Sequence, residues 1–232
     1  MKQRNRGLLH SFSTLGLTSF LGLFVCLLIL AGLGWLCQEV WEREAFSFDK
    51  AFMMWVHQWS RPLLDKFMIG ATRLGDPEIV VSVILVNLVW FLVRGRRYTA
   101  LMLIVACTGA LALNVGLKLV FARPRPVLWP HLINEASYGF PSGHALGSLV
   151  LYGFLAYVFA CWYPRQSGWI YGIATGTVAL IGLSRIYLGV HFPTDILAGY
   201  SVGILWLVFC INIPEISGAS LTGGKERDNR CG

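Results

Sequence analysis

Residues 98–126 read YTALMLIVACTGALALNVGLKLVFARPRP, and this stretch decides the class of the fold. No charge falls between Tyr98 and Leu117, a run matching the roughly 20 apolar residues that cross a bilayer as a helix. Lys118 closes the run, and Pro124 and Pro126 stop the helix on either side of Arg125. Further apolar stretches at 12–36, 78–93, 141–163, 169–188 and 193–213 bring the expected total to six spans, an all-α, polytopic membrane protein. The second is the shortest: its uninterrupted run from Ile79 to Val93 leaves the start open as far back as Phe67, with Arg73 and Asp76 at its wet end. Composition agrees, since 56% hydrophobic residues, 13% charged residues and a mean hydropathy of +0.61 exclude an ordinary soluble domain.

Charge then orients the spans. The first follows Lys2, Arg4 and Arg6, but its apolar run far exceeds the ~7 to 15 residues of a signal-peptide core, so it reads as a retained anchor. With six spans, the basic N-terminus, the Arg94-Arg96-Arg97 turn, the Arg165 turn and the Lys225-Arg227-Arg230 tail share one side, expected to be cytoplasmic. The loop at 37–77 mixes both signs of charge and belongs outside. Within it Phe52, Trp55, Val56 and Trp59 share a helical face suited to lying in the interface, with His57 left in solvent. The domain is thus expected to run over 1–213, with a polar, disordered cytoplasmic tail at 214–232. The net charge of +7 is mainly a topology signal, and basic clusters interleaved with base-stacking aromatics are absent, which argues against nucleic acid as a partner. Six cysteines show no CxxC or other metal spacing and read as small hydrophobes, so no metal and no cofactor is expected.

Three polar clusters break the apolar pattern: Lys118 with Arg125-Pro126, then Pro141-Ser142-Gly143-His144, then Ser184-Arg185 followed by His191 and Asp195. Charged groups near membrane helices are costly and are usually kept for a function. Span parity places all three at the outer face. Ser142 and Gly143 open a helix whose unpaired N–H groups can face an anion. Lys118, Arg125 and Arg185 can surround phosphoryl oxygens, the arginines by bidentate contact. Arg123 is a further cation that Pro124 is expected to turn elsewhere. His191 and Asp195 stand four apart at the start of a helix, so the carboxylate can accept one ring N–H and leave the other nitrogen to attack phosphorus. The residues alone do not say which histidine attacks, but only His191 has an acidic neighbour in sequence.

In these residues the chain resembles the type 2 phosphatidic acid phosphatase, or lipid phosphate phosphatase, superfamily. Its signature is a lysine, six residues and Arg-Pro; then Pro-Ser-Gly-His; then Ser-Arg, five residues, His, three residues and Asp. Every element is present between residues 118 and 195. The resemblance implies a metal-independent hydrolase of lipid phosphate monoesters or diphosphates working through a phosphohistidine. It makes His191 the nucleophile, Asp195 its orienting group and His144 the acid and base. Lys118, Arg125, Ser142, Gly143 and Arg185 would bind phosphate, with Pro126, Pro141 and Ser184 supporting the motif.

Expected substrates are undecaprenyl diphosphate, phosphatidylglycerol phosphate or phosphatidic acid in a bacterial plasma membrane. The partners are then that lipid and the bilayer, with no obligate protein partner evident. Transfer of the phosphoryl group to a lipid or sugar acceptor is the alternative. An anion or lipid transporter is the alternative of another class, disfavoured because transporters bind near the bilayer midplane whereas these charges line the rim. With His191 neutral and His144 protonated, activity should be bell-shaped in pH. Loop residues 127–140, including His131 and Glu135, are where head-group preference would be shaped, though nothing in them names a lipid.

Overall fold

A computed structural model describes residues 4–42, 47–133 and 135–216. Helices α1 (Arg4–Trp41), α2 (Ser47–His57), α3 (Pro62–Arg73), α4 (Pro77–Val93), α5 (Arg97–Phe121), α6 (Gly143–Trp162), α7 (Ser167–Tyr187) and α8 (Pro193–Ile216) follow in order, with a short 3₁₀ turn before α7. Five apolar spans of bilayer length lie within them, and α3 with α4 forms a sixth candidate bent by 44° at residues 74–76. The uncertain start of the second span thus resolves into two rods. Pro62 and Pro77 each open one, at the first turn, where a missing N–H costs nothing.

Helix α6 is the hub, packed against α5, α7 and α8, while α1 leans on α8. The core is apolar side chains without charge: Phe91, Leu103, Leu146, Val150, Leu151, Phe154 and Val158 are fully shielded. Outward faces carry exposed Val86, Val89, Leu111 and Leu119, as lipid-facing helices require. A second cluster, with Met53, Val56, Met68, Ile186, Leu188 and Ile196, seats α2 and α3 on α7 and α8.

Two expectations for the outer loop change. Val56 is packed into this core while Trp55 and Trp59 are exposed, and Trp59 lies past the end of α2, so the four residues do not act as a single lipid-facing surface. His57 is not merely solvated: its ring stacks on Trp129 at 4.0 Å and 14°. Cys26, Cys37, Cys107 and Cys210 are free thiols. Helix α8 reaches Ile216, and the remainder of the expected tail lies outside the described residues.

Candidate active site

All three sequence clusters arrive at one end of the bundle because of how four helices start and stop. Helix α5 ends at Ala122, left-handed at φ 43°, and its amide is bonded to the Lys118 carbonyl. This sends the chain into a non-helical loop that returns at Ser142, the N-cap of α6. The Ser142 hydroxyl accepts from the Ala145 amide at 3.4 Å, and the Ser142 amide donates to the Asp195 carbonyl at 3.0 Å, tying α6 to α8. A Cβ at Gly143 would stand 2.9 Å from Asn114 Oδ1, so a residue without one lets α5 and α6 close here. At the head of α8, Asp195 Oδ2 accepts from the Phe192 amide at 2.9 Å, a reciprocal cap that fixes the carboxylate.

His191 lies in the short turn between α7 and α8 and is 1% exposed. Arg125 Nη1 approaches its Nε2 at 3.1 Å while also donating to the Val190 carbonyl at 2.8 Å. A guanidinium can only donate, so Nε2 accepts and the ring proton sits on Nδ1. Nδ1 faces Asp195 Oδ2 at 3.4 Å, an ion-pair distance without hydrogen-bond alignment. Burial, and then Arg125, Arg185 and Lys118, hold the imidazole well below its ordinary pKa and therefore neutral.

Asp195 has a second partner that the sequence reading sent elsewhere. Arg123 Nη1 donates to Asp195 Oδ1 at 2.5 Å and to Thr194 Oγ1 at 2.9 Å, and its Nη2 meets Asp49 Oδ2 at 3.2 Å. Asp49, from α2, also accepts from the Thr194 amide at 3.0 Å and from its hydroxyl at 2.6 Å. Burial pushes Asp49 up, and the Thr194 bonds and Arg123 oppose the shift.

His144 also has a carboxylate, from far away in the chain: its Nε2 lies 2.8 Å from Asp76 Oδ1. Asp76 holds the N-cap position of α4 without capping it, because its side chain is turned to the imidazole. A Cβ on Gly75 would come within 2.8 Å of the His144 ring, and Tyr152 donates to the Leu74 carbonyl at 2.7 Å. Residues 74–76, the bend between α3 and α4, are the seat of this histidine.

Lys118 donates to Ser137 Oγ at 2.8 Å. Arg125 donates through Nε to the Ser137 carbonyl at 2.7 Å, and Arg185, 1% exposed, donates to Thr72 Oγ1 at 2.9 Å. Glu135 bridges the two arginines, pairing with Arg185 Nη2 and, at 3.4 Å, with Arg125 Nη2. Ser184 is buried and bonds back to the Ile181 carbonyl at 2.6 Å. Among the described residues no group of three or more His, Cys, Asp or Glu could hold a metal ion.

Lys118, Arg125, His144 and His191 line the polar head of a cleft of about 540 Å³. Its body is apolar, walled by Val80, Val81 and Ile84 of α4, Ile104 and Leu111 of α5, and Leu146 of α6. From Lys118 back to Ile104 the helical rise amounts to about 21 Å. A cleft with a cationic head and an apolar body suits phosphates carried on long apolar tails, and the protein is an enzyme of that class, a membrane-embedded lipid phosphate hydrolase. A family model described as the PAP2 superfamily matches residues 79–218, and the chain belongs to that superfamily.

The chain is 34% identical over 187 residues to phosphatidylglycerophosphatase B of Bacillus subtilis (79% of this chain, 88% of the relative). It is 30% identical over 155 residues to the undecaprenyl-diphosphatase BcrC of the same organism (62% of this chain, 71% of the relative). Among solved structures, the transmembrane PAP2-type phosphatidylglycerolphosphate phosphatase from Bacillus subtilis superposes with a TM-score of 0.76 at 27% identity, over 82% of this chain and 96% of that one. Aquifex aeolicus LpxE superposes with a TM-score of 0.61 at 25% identity, over 73% and 98% respectively.

Proposed function

We propose that the protein removes a terminal phosphate from a membrane lipid through a covalent phosphohistidine at His191, without a metal ion. The observation that carries this reading is the neutral, buried His191, whose Nε2 bears a lone pair beside Arg125 at the head of an apolar cleft. The lone pair attacks phosphorus, the bond from phosphorus to the lipid oxygen breaks, and His144 protonates that oxygen as it leaves. Asp195 holds the Nδ1 side of His191 as positive charge develops there. His144, now neutral, takes a proton from water, the resulting hydroxide attacks the phosphohistidine, and orthophosphate departs. Lys118, Arg125, Arg185 and the first amides of α6 surround the phosphoryl oxygens throughout.

The names of the relatives favour phosphatidylglycerol phosphate and undecaprenyl diphosphate as substrates. The orientation we infer puts Arg94, Arg96 and Arg97 in the cytoplasm of a bacterial plasma membrane and the catalytic end outside, about 30 Å along α5. The test is phosphate release by the purified protein from these two lipids and phosphatidic acid in EDTA, with rapid quenching to trap the enzyme adduct. Release in EDTA and an adduct stable in alkali but lost in acid are expected. A requirement for added divalent cation, or an acid-stable adduct, contradicts the mechanism.

The seat of His144 yields a second expectation. With Nε2 engaged by Asp76, Nδ1 is the nitrogen left for the leaving oxygen. Asp76→Asn keeps the shape but removes the charge and the defined acceptor. General acid–base groups contribute about 10²–10⁴-fold, so a misdirected ring should cost kcat about 10²-fold. KM should change less than kcat, because Asp76 bonds His144 directly and acts on the nearby Arg185 only through its charge; steady-state kinetics on one lipid phosphate separates the two parameters.

A further inference from the structure

Each of the three cations assigned to the substrate's phosphate is engaged by the loop between α5 and α6. Lys118 donates to Ser137, Arg125 to Ser137 and Glu135, and Arg185 to Glu135. Glu135 spreads its two carboxylate oxygens over two guanidiniums, Oε1 to Arg185 and Oε2 to Arg125. A phosphoryl group would make the same pair of contacts. Burial pushes the Glu135 carboxyl up, but Arg185 and Arg125 outweigh it and hold it below the usual carboxylate range, so it is ionised. Its side chain is 24% exposed and lines the cleft, and residues 136–138 beside it are exposed in a segment without regular structure. The loop is held on either side of this stretch: Trp129 stacks on His57 and His131 bonds the Pro126 carbonyl before it, and the Gly139 amide donates to the Arg123 carbonyl at 2.8 Å after it.

We propose that Glu135 is a tethered substitute for the substrate's phosphate and makes the enzyme selective for terminal phosphates over the phosphodiesters that surround it. The inference rests on the reading of Lys118, Arg125 and Arg185 as the phosphate cradle. A bilayer presents the cleft with a vast excess of phospholipids whose diester phosphate carries a single negative charge. A terminal phosphate carries about −1.5 to −2 at pH 7 and three acceptor oxygens. A carboxylate on a short loop has an effective concentration in the millimolar range, enough to exclude a singly charged diester yet yield to a doubly charged monoester or a diphosphate. When the product orthophosphate lets go, Glu135 returns and helps to clear the site.

The experiment uses the full chain in nanodiscs, as wild type, Glu135→Gln and Glu135→Ala, with thermal unfolding measured on each. Two readouts follow: the inhibition constant of orthophosphate, and turnover of a lipid phosphate as phosphatidylglycerol replaces a zwitterionic lipid around it. Hydrogen bonds to charged groups are worth enough to expect about 10-fold tighter orthophosphate inhibition in both variants. Phosphatidylglycerol should depress their turnover several-fold while sparing the wild type. Folded variants whose orthophosphate inhibition and lipid response match the wild type overturn the proposal. Orthophosphate that inhibits neither wild type nor variants overturns the cradle reading itself, and the proposal with it.

Discussion

His191→Ala should fold and release no phosphate from any lipid, a loss of at least about 10³-fold in turnover on the scale of removed nucleophiles. The ring sits at the meeting point of α7 and α8, and in the proposed mechanism the cations round it place phosphorus against Nε2. Alanine leaves the cradle standing: Arg125 keeps its bonds to the Val190 and Ser137 carbonyls, and Arg185 keeps Thr72. Substrate should therefore still bind, and the deficit should lie in kcat. The wild type adds a pH signature. Because burial and three cations hold His191 well below the ordinary histidine pKa, it stays neutral and nucleophilic as pH falls through the range where a free imidazole would gain a proton. The acid limb of the rate profile should lie below that range. Measuring kcat from about pH 4.5 to 9, with reference histidine near 6.5, tests this directly; a limb at the reference value would mean that His191 is not the buried neutral base described.

Arg123→Ala should be the most destabilising single change near the site. Arg123 is 11% exposed and stands between two carboxylates, Asp49 at 1% and Asp195 at 0%. Removing the cation strands both anions where water cannot reach them. Breaking a buried pair in this way costs about 3–5 kcal/mol, and it leaves the Asp49–Thr194 bonds as the remaining polar tie between α2 and the start of α8 at this junction. Urea or thermal unfolding in a fixed detergent reads the stability. Arg123→Lys should recover part of it, because an ammonium neutralises the pair but cannot span both carboxylates as the fork does. A stability for the alanine variant within about 1 kcal/mol of wild type would show that the pair is solvated and contributes as a surface bridge does.

How much of this was legible beforehand follows the distance along the chain between partners. The signature residues were readable because their spacing is local: four residues join His191 to Asp195, and the prolines in or beside the clusters, Pro124, Pro141 and Pro193, lie near helix boundaries. Span positions were readable from hydropathy, which is a sum over many residues and tolerates local error. The acidic partners were not. Asp76 reaches His144 across 68 positions, Asp49 reaches Arg123 across 74 and Glu135 reaches Arg185 across 50. In sequence they are ordinary loop acids among basic neighbours, and the mixed charge of the outer loop read as balance with no detail. The proline after Arg123 suggests a side chain turned elsewhere, yet that side chain reaches Thr194 and Asp195 at the start of α8. A clue was present at Asp76: an acid just before a helix-opening proline, on the wet end of a span too short to cross alone.

The bend at residues 74–76 ties two tasks to one piece of backbone. Helix α4 is a wall of the apolar cleft, and its N-cap residue, Asp76, pairs with His144, the proton donor in the mechanism we propose. A tail that wedges this wall outward or lets it settle inward moves the pivot beneath His144. On the proposed mechanism, chain shape deep in the bilayer would then be felt at the leaving oxygen through this lever. Lipids with identical head groups but different tails should then differ in how fast they react and not merely in how tightly they are held.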